Sequence, residues 1–112
     1  MEVYFLSLEQ KAKDLAAAIK ETEEFETLKS AENRLNLDPT AQDLLQNFQN
    51  KQQELQEAQQ QGQQIEQEEI QSIQGMQQQM QSNETIKNLM DAQQKFDQVL
   101  QEVNQTVLSE LQ

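Results

Sequence analysis

Apolar residues recur every three or four positions along most of the chain, which is the spacing of one face of an α-helix. Short polar runs, one proline and one glycine interrupt this pattern and set the predicted helix boundaries. The predicted helices cover about residues 3–20, 23–36, 39–62 and 66–81, followed by a final stretch of about 28 residues that opens at 82–84. The pattern therefore predicts an all-α fold. We expect a bundle of four to five amphipathic helices, two short and two to three longer, in one domain over residues 1–112.

Individual residues mark the predicted boundaries. In "NLDPTAQ", Asp38 is suited to cap a helix whose first position is Pro39, because proline lacks only an N–H that would be unpaired there. Thr22 is the predicted cap of the second helix, and either Ser82 or Asn83 caps the last one. Gly62 stands where a C-terminal glycine ends a helix, so the sequence predicts a kink or a short break near residues 62–66.

The stretch "QEAQQQGQQIEQEEIQSIQGMQQQMQ", residues 56–81, has thirteen glutamines and both glycines of the chain. Such a composition is found in disordered low-complexity tracts, which is one interpretation. Glutamine is also a good helix former, and Ile70, Ile73, Met76 and Met80 keep a helical spacing inside the tract. We therefore expect a helix with an uncharged polar face.

The chain has few large apolar residues with which to build a core. Leu, Ile, Val and Phe account for 26 of 112 residues, slightly above the level of about 20% below which highly charged chains are disordered. Part of the burial is therefore expected from a second copy, in a homodimer. Tyr4 and Phe5 are expected to anchor the core. The other residues predicted for the core or the interface are Leu15, Ile19, Phe25, Leu28, Leu44, Phe48, Leu55, Ile73, Met80, Leu89, Phe96, Leu100 and Val103.

Charge and composition exclude several classes of protein. The net charge is −12, and residues 52–86 contain no base, which disfavours direct binding to nucleic acid. No run of apolar residues is long enough to span a membrane, and the acidic start "MEVYFLSLEQ" does not resemble a signal peptide. The absence of cysteine fits a reducing compartment. A soluble, cytoplasmic protein is expected.

The residue inventory offers little catalytic chemistry. Without histidine and cysteine the chain has no imidazole base, no zinc-protease motif and no thiolate nucleophile. Glu66, Glu68 and Glu69 could together hold a hard cation, but carboxylates so close on a helix point in different directions and are usually solvated. We predict no catalytic, cofactor-binding or metal-binding residue. A metal-dependent enzyme built on acidic residues alone is an alternative.

Several segments are similar to the YlbF/YmcA family of small bacterial helical proteins, and most of all to its cysteine-free YheA-like branch. They are "LDPTAQDLLQNF" (37–48), "QEAQQQG" (56–62), "EEI" (68–70) and "NETIKNLMDAQQKF" (83–96). With the N-terminal helix, the resemblance covers nearly the whole chain.

The resemblance implies an all-helical, dimeric protein of the Firmicute cytoplasm without enzymatic activity of its own. Some members of the family act with a third protein and with ribonuclease Y, and thereby influence RNA processing, competence, sporulation and biofilm formation. Those members have cysteines near the C-terminus that are associated with an iron–sulfur cluster, whereas "QEVNQTVLSELQ" here has none. No cluster is therefore expected.

The sequence thus predicts a non-enzymatic helical adaptor whose partners are family members or a ribonuclease complex. The alternative is a holdase chaperone of the prefoldin type, because glutamine-rich helical hairpins with open apolar tips also bind non-native chains. Prefoldin chains place β-strands between their helices, and the sequence contains no alternating, β-rich run.

Overall fold

The structure is a computed structural model that describes the backbone of residues 2–112 and the side chains of residues 4–112. Its five helices are α1 (Glu2–Lys20), α2 (Glu23–Asn36), α3 (Pro39–Gln60), α4 (Gln67–Ser82) and α5 (Glu84–Glu110). No strand occurs within residues 2–112. The prediction of an all-α fold with four to five helices is confirmed.

Side-chain caps begin three of the helices. The Thr22 hydroxyl accepts a hydrogen bond from the Phe25 N–H at 3.2 Å, and the Asp38 carboxylate accepts one from Ala41 N–H at 3.1 Å. At the start of α5 the side-chain oxygen of Asn83 accepts from the N–H of Ile86 at 3.0 Å, so Asn83 rather than Ser82 is the cap. Each cap pairs an N–H that the first turn of a helix leaves without a backbone acceptor.

Gly62 ends α3 with a sharp break. Its φ of +74° lies in the left-handed region that glycine adopts without strain. The N–H of Gly62 donates to the carbonyl of Gln59, and the N–H of Gln63 donates to the carbonyl of Ala58, at 3.1 and 2.9 Å. This pair of bonds is the Schellman arrangement, which pairs the last carbonyls of a helix. The glutamine-rich tract is accordingly helical on both sides of a break at residues 61–66.

Residues Ala31–Asp91 form one of two compact units. Within it α3 packs against α4, and the buried residues Ala41, Met80 and Ile86 form a cluster. The half-buried residues Leu35, Leu44, Leu45 and Phe48 pack around this cluster. The hydroxyl of Thr85, at the start of α5, donates to the carboxylate of Asp38 at 2.7 Å, which ties the first turns of α3 and α5 together.

The second unit comprises Met1–Ser30 and Ala92–Gln112. Its contacts between helices include the rings of Phe25 and Phe96, whose centroids lie 5.6 Å apart at an interplanar angle of 55°. The Lys29 ammonium lies 5.5 Å from the centroid of the Phe25 ring. Leu28 and Ala92 are buried. That the two units fold as one domain stays a prediction.

Candidate protein-interaction surface

The residues predicted for the core or the interface fall into three groups by exposure. Three are buried: Leu28, Met80 and Leu89. Eight are half-buried: Ile19, Phe25, Leu44, Phe48, Leu55, Ile73, Phe96 and Val103. Leu15 and Leu100 are exposed. The assignment of these residues to a core or an interface stays a prediction.

The largest exposed apolar side chains lie on α1. Tyr4, Phe5 and Leu8 are 78, 66 and 67% exposed, and every side chain from residue 4 to 18 is exposed. Ile19 is half-buried. The expectation that Tyr4 and Phe5 anchor the core of the chain is wrong, because these side chains are 78 and 66% exposed.

The apolar residues of α1 form a regular stripe, which is exposed except at the half-buried Ile19. Phe5, Leu8, Ala12, Leu15 and Ile19 follow one another at spacings of three, four, three and four residues, which places them on one face of the helix. A helix whose apolar stripe is open to water is stabilised when another apolar surface covers the stripe. We therefore refer to this set of five residues as the α1 stripe and treat it as the candidate interaction surface.

The C-terminal half of α5, together with Leu111 directly after it, has a second exposed apolar region. Leu100, Val107, Leu108 and Leu111 are all exposed, whereas Leu89, near the start of the same helix, is buried. The exposed fraction of these side chains rises towards the C-terminus, from 40% at Leu100 to 76% at Leu111. Both exposed regions belong to the unit made of Met1–Ser30 and Ala92–Gln112.

The pKa of Asp38 is lowered, and the cause is structural. The hydrogen bond from the Thr85 hydroxyl, followed by that from the Ala41 N–H, holds the pKa of the carboxyl below its ordinary value, and partial desolvation opposes them. A second N–H, from Thr40, acts in the same direction as the first. The charged carboxylate caps α3 and holds the start of α5, which is a structural role.

One groove among the described residues is lined by uncharged side chains alone. An open groove of about 710 Å³ is lined by Leu44, Gly75, Gln78, Gln79, Ser82 and Asn83, none of which is an acid or a base. Among residues 4–112, no group of three or more acidic side chains is placed to hold a metal ion, and this includes Glu66, Glu68 and Glu69. No helix in residues 2–112 is both long and apolar enough to cross a membrane.

The family model described as "Control of competence regulator ComK, YlbF/YmcA" matches residues 8–112. The chain belongs to the YlbF/YmcA family. A UPF0342 protein of Bacillus licheniformis is 32% identical over 107 residues, which cover 96% of this chain and 92% of that protein. A UPF0342 protein of Alkalihalophilus pseudofirmus is 39% identical over 91% of this chain and 86% of its own length. The resemblance of the sequence to this family is thereby confirmed.

Solved structures share the fold. A protein of unknown function (DUF964) from Bacillus stearothermophilus has a TM-score of 0.74 and 31% identity, over 94% of this chain and 92% of that one. RicA of Bacillus subtilis, in a crystal structure of its complex with RicF, is matched with a TM-score of 0.81 over 95% of this chain and 94% of the matched chain. Their identity of 18% shows a common fold alone.

Sequence reasoning missed that the first turns of α1 stay uncovered, although one signal was present. Tyr4, Phe5, Leu6 and Leu8 place four large apolar residues within five positions. Leu6 lies outside the α1 stripe and is 63% exposed. An exposed cluster of large apolar side chains at a helix end is typical of interaction surfaces.

Proposed function

We propose that this protein is a regulatory adaptor without catalytic activity of its own, and that it acts through protein–protein contacts. The observation that carries the proposal is the exposure of Tyr4, Phe5 and Leu8 on α1. Large apolar side chains grouped on one exposed helix face are characteristic of surfaces that bind other proteins.

The family and the shared fold support this function. The family is described by its control of the competence regulator ComK, which is a regulatory role. RicA, which shares the fold, forms a complex with a second protein, RicF. By analogy we propose that this chain also works in an assembly, whose other members are proteins of its own family or a ribonuclease complex.

We further propose that the chain forms a homodimer in the cytoplasm. The sparse core and the open α1 stripe both favour a second copy, because a symmetric dimer covers the same surface twice. Light scattering should then give a molar mass of twice 13.0 kDa at micromolar concentration. A mass of 13.0 kDa would contradict the homodimer but not the adaptor function.

A role in RNA processing would be indirect. The net charge is −12 and residues 52–86 lack any base, so a phosphate backbone is repelled along that segment. Without cysteine, the chain has no thiolate for an iron–sulfur cluster. We therefore propose that any influence on RNA passes through a bound ribonuclease.

Affinity capture of the tagged full chain from its native cytosol, with and without nuclease, tests the adaptor function. The proposal predicts recovery of a ribonuclease or of other family members in both samples. The same capture with Leu8→Asp, in the α1 stripe, should lose these proteins, and Leu37→Asp, at an exposed leucine outside the stripe, is its matched control. Recovery of the bait alone in both samples would contradict an adaptor role in RNA processing.

The exposed α1 stripe also favours a second candidate function, a holdase chaperone, because open apolar helices bind non-native chains. Residues 2–112 contain no strand, so the β-segments of prefoldin chains are absent from this part of the protein. An aggregation assay with a thermally unfolded client distinguishes the two functions. Suppression at stoichiometric ratios would favour the holdase, and unchanged aggregation would favour the adaptor.

A further inference from the structure

We propose that the exposed apolar face at the end of α5 is a docking surface for a basic amphipathic helix of another protein. The face consists of Leu100, Val107 and Leu108 in the helix and of Leu111 directly after it, and we call it the α5 face. This inference rests on the adaptor function proposed above and names the chemistry of one partner.

An adaptor needs two separate binding surfaces, because it holds two proteins at once. The α1 stripe is the candidate for the first surface. The α5 face lies on a different helix, and each of its four residues keeps at least 40% of its accessible surface. Exposed apolar side chains that are grouped in this way mark interaction surfaces. The α5 face is therefore the candidate for the second surface.

The four side chains of the α5 face lie on one side of the helix. At about 100° per residue, Val107 and Leu111 lie about 20° from the direction of Leu100, one on each side. Leu108 lies about 80° from Leu100. The ring of Phe96 lies about 40° from Leu100 on the other side and is already in contact within the chain. The α5 face thus extends an apolar surface whose remaining part is covered.

Acidic side chains border the α5 face on both sides. Asp97 lies about 60° from Leu100 in the direction of Leu108, and Glu110 lies about 80° from Leu100 in the opposite direction. The last base of the chain is Lys95, which lies about 140° from Leu100. An apolar stripe between two carboxylates is complementary to a helix whose apolar stripe lies between lysines or arginines.

The same charges argue against other occupants of the α5 face. Nucleic acid and anionic lipid are negatively charged, so both flanks of the face would repel them. Two copies of the face would bring Asp97 and Glu110 of one copy towards the carboxylates of the other, in either orientation. Helix α1 of a second copy has three acids and three bases, and therefore lacks the net positive charge that the face requires.

The size of the α5 face fits a transient contact. Eleven residues separate Leu100 from Leu111, which corresponds to about 16 Å along the helix, or three turns of a partner helix. Transient interfaces bury less than about 1,200 Å² in total. We therefore expect a dissociation constant in the micromolar range for an isolated helix.

Two synthetic amphipathic helices test the assigned charge. Both have leucines at the same heptad positions, but one has lysine and the other glutamate on the two flanks of its apolar stripe. In fluorescence anisotropy titrations with the full chain, the lysine peptide should bind at least about 10-fold more tightly at low salt, and the difference should shrink as salt is added. Equal binding of the two peptides would overturn the proposal.

Variants of the full chain test the assigned face. Asp97→Lys and Glu110→Lys together should reverse the preference between the two peptides. Glu54→Lys and Glu102→Lys together are the matched control, because they give the same change of net charge at an exposed position on α3 and at one about 160° from Leu100 on α5. Reversal by the control pair as well would show that net charge alone decides binding and would overturn the assigned face.

Site-specific cross-linking identifies the occupant in the native cytosol. A photoreactive benzophenone amino acid in place of Leu108 should cross-link to another protein, and the same group in place of the exposed Gln98, about 160° from Leu100, should not. Mass spectrometry locates the cross-linked segment. The proposal predicts a segment in which apolar residues recur every three or four positions and in which lysine and arginine outnumber the acids.

The other outcomes separate this inference from the proposed function. A cross-link to residues 2–20 of a second copy would assign the α5 face to the homodimer and overturn the proposal. A cross-link to a neutral or acidic segment, or no cross-link from Leu108, would also overturn it. The adaptor function is decided by the capture experiment with Leu8→Asp, which changes the α1 stripe and leaves the α5 face intact.

Discussion

Helices α1 and α4 have similar lengths and similar apolar spacing, but they differ in what covers them. In α4, Met80 is only 5% exposed and packs with Ala41 and Ile86. In α1 the side chains from residue 4 to 18 are all exposed, although they include two aromatic rings. An apolar stripe thus identifies an amphipathic helix. The stripe does not show whether the surface that packs on it belongs to the same chain or to another molecule.

The more exposed helix, α1, has the higher intrinsic helix propensity of the two. The sequence of α1 contains the run "LAAAIK" and no glycine, whereas α4 has Gly75 in its middle. Alanine is the best helix former, and glycine is worse by about 1 kcal/mol. α1 is therefore better suited to persist as a helix before a partner covers it, while α4 depends on its packing against α3.

The largest effect on stability is expected from the core that covers α4. Ile86→Ala should lower the free energy of unfolding by about 2–5 kcal/mol, because Ile86 is fully buried and its truncation leaves a cavity. Leu108→Ala, on the exposed half of the same helix, should change it by less than about 1 kcal/mol in the monomer. Urea denaturation measures both. If both variants lose the same free energy of unfolding, Leu108 is buried as deeply as Ile86, and the difference between the two halves of α5 is contradicted.

A smaller effect, which depends on pH, is expected at Asp38. Its folded-state pKa is lowered, so its contribution to stability is present above the pKa of the unfolded state and is lost as the pH falls through the folded value. Asp38→Asn should therefore destabilise the protein at pH 7, and the difference from the unmodified protein should shrink below about pH 4. Thr85→Val removes the hydrogen bond from the Thr85 hydroxyl, which is the main cause of the lowered pKa. The pKa of Asp38 should therefore rise, and carbon-detected NMR titration can measure this change. A loss that is the same at pH 7 and pH 3 would contradict this explanation.

The contact between Phe25 and Phe96 provides a test within the other unit. Their tilted rings, 5.6 Å apart, should contribute a coupling of about 0.5–1.5 kcal/mol in a double-mutant cycle with leucine at both positions. Urea denaturation of the four proteins gives this coupling. A coupling near zero would show that this unit lacks a specific internal contact and depends still more on a partner.

Substitution of the two glycines by alanine should change the stability of the protein in opposite directions. Gly75 is helical and has open space around it, so Gly75→Ala should stabilise the protein by about 0.4–1 kcal/mol. Gly62 also has open space, but its φ of +74° is unfavourable for alanine, so Gly62→Ala should destabilise by about 1–2 kcal/mol. Thermal unfolding measures both variants. Destabilisation by Gly75→Ala would indicate that a partner approaches α4 at this position.

Local signals in the sequence are sufficient to locate the helices. Asp38, Pro39 and Gly62 each act through the backbone of their own turn, so their effect is visible from a few neighbouring residues. The bond between Thr85 and Asp38 could not be predicted, because it joins residues 47 positions apart and depends on how α3 and α5 meet. The exposure of Tyr4 and Phe5 was missed for the same reason, since periodicity identifies an apolar face without identifying what packs on it.

Hydrogen–deuterium exchange of the full chain, measured at two protein concentrations, most directly tests whether a second molecule covers α1. If a second molecule covers α1, the amides of α1 are protected at high concentration and lose protection on dilution, whereas the amides of α3 and α4 are protected equally at both concentrations. Rapid exchange in α1 at every concentration, with α3 and α4 protected, would contradict it. In that case the α1 stripe would be open in solution, and self-association through it would be refuted.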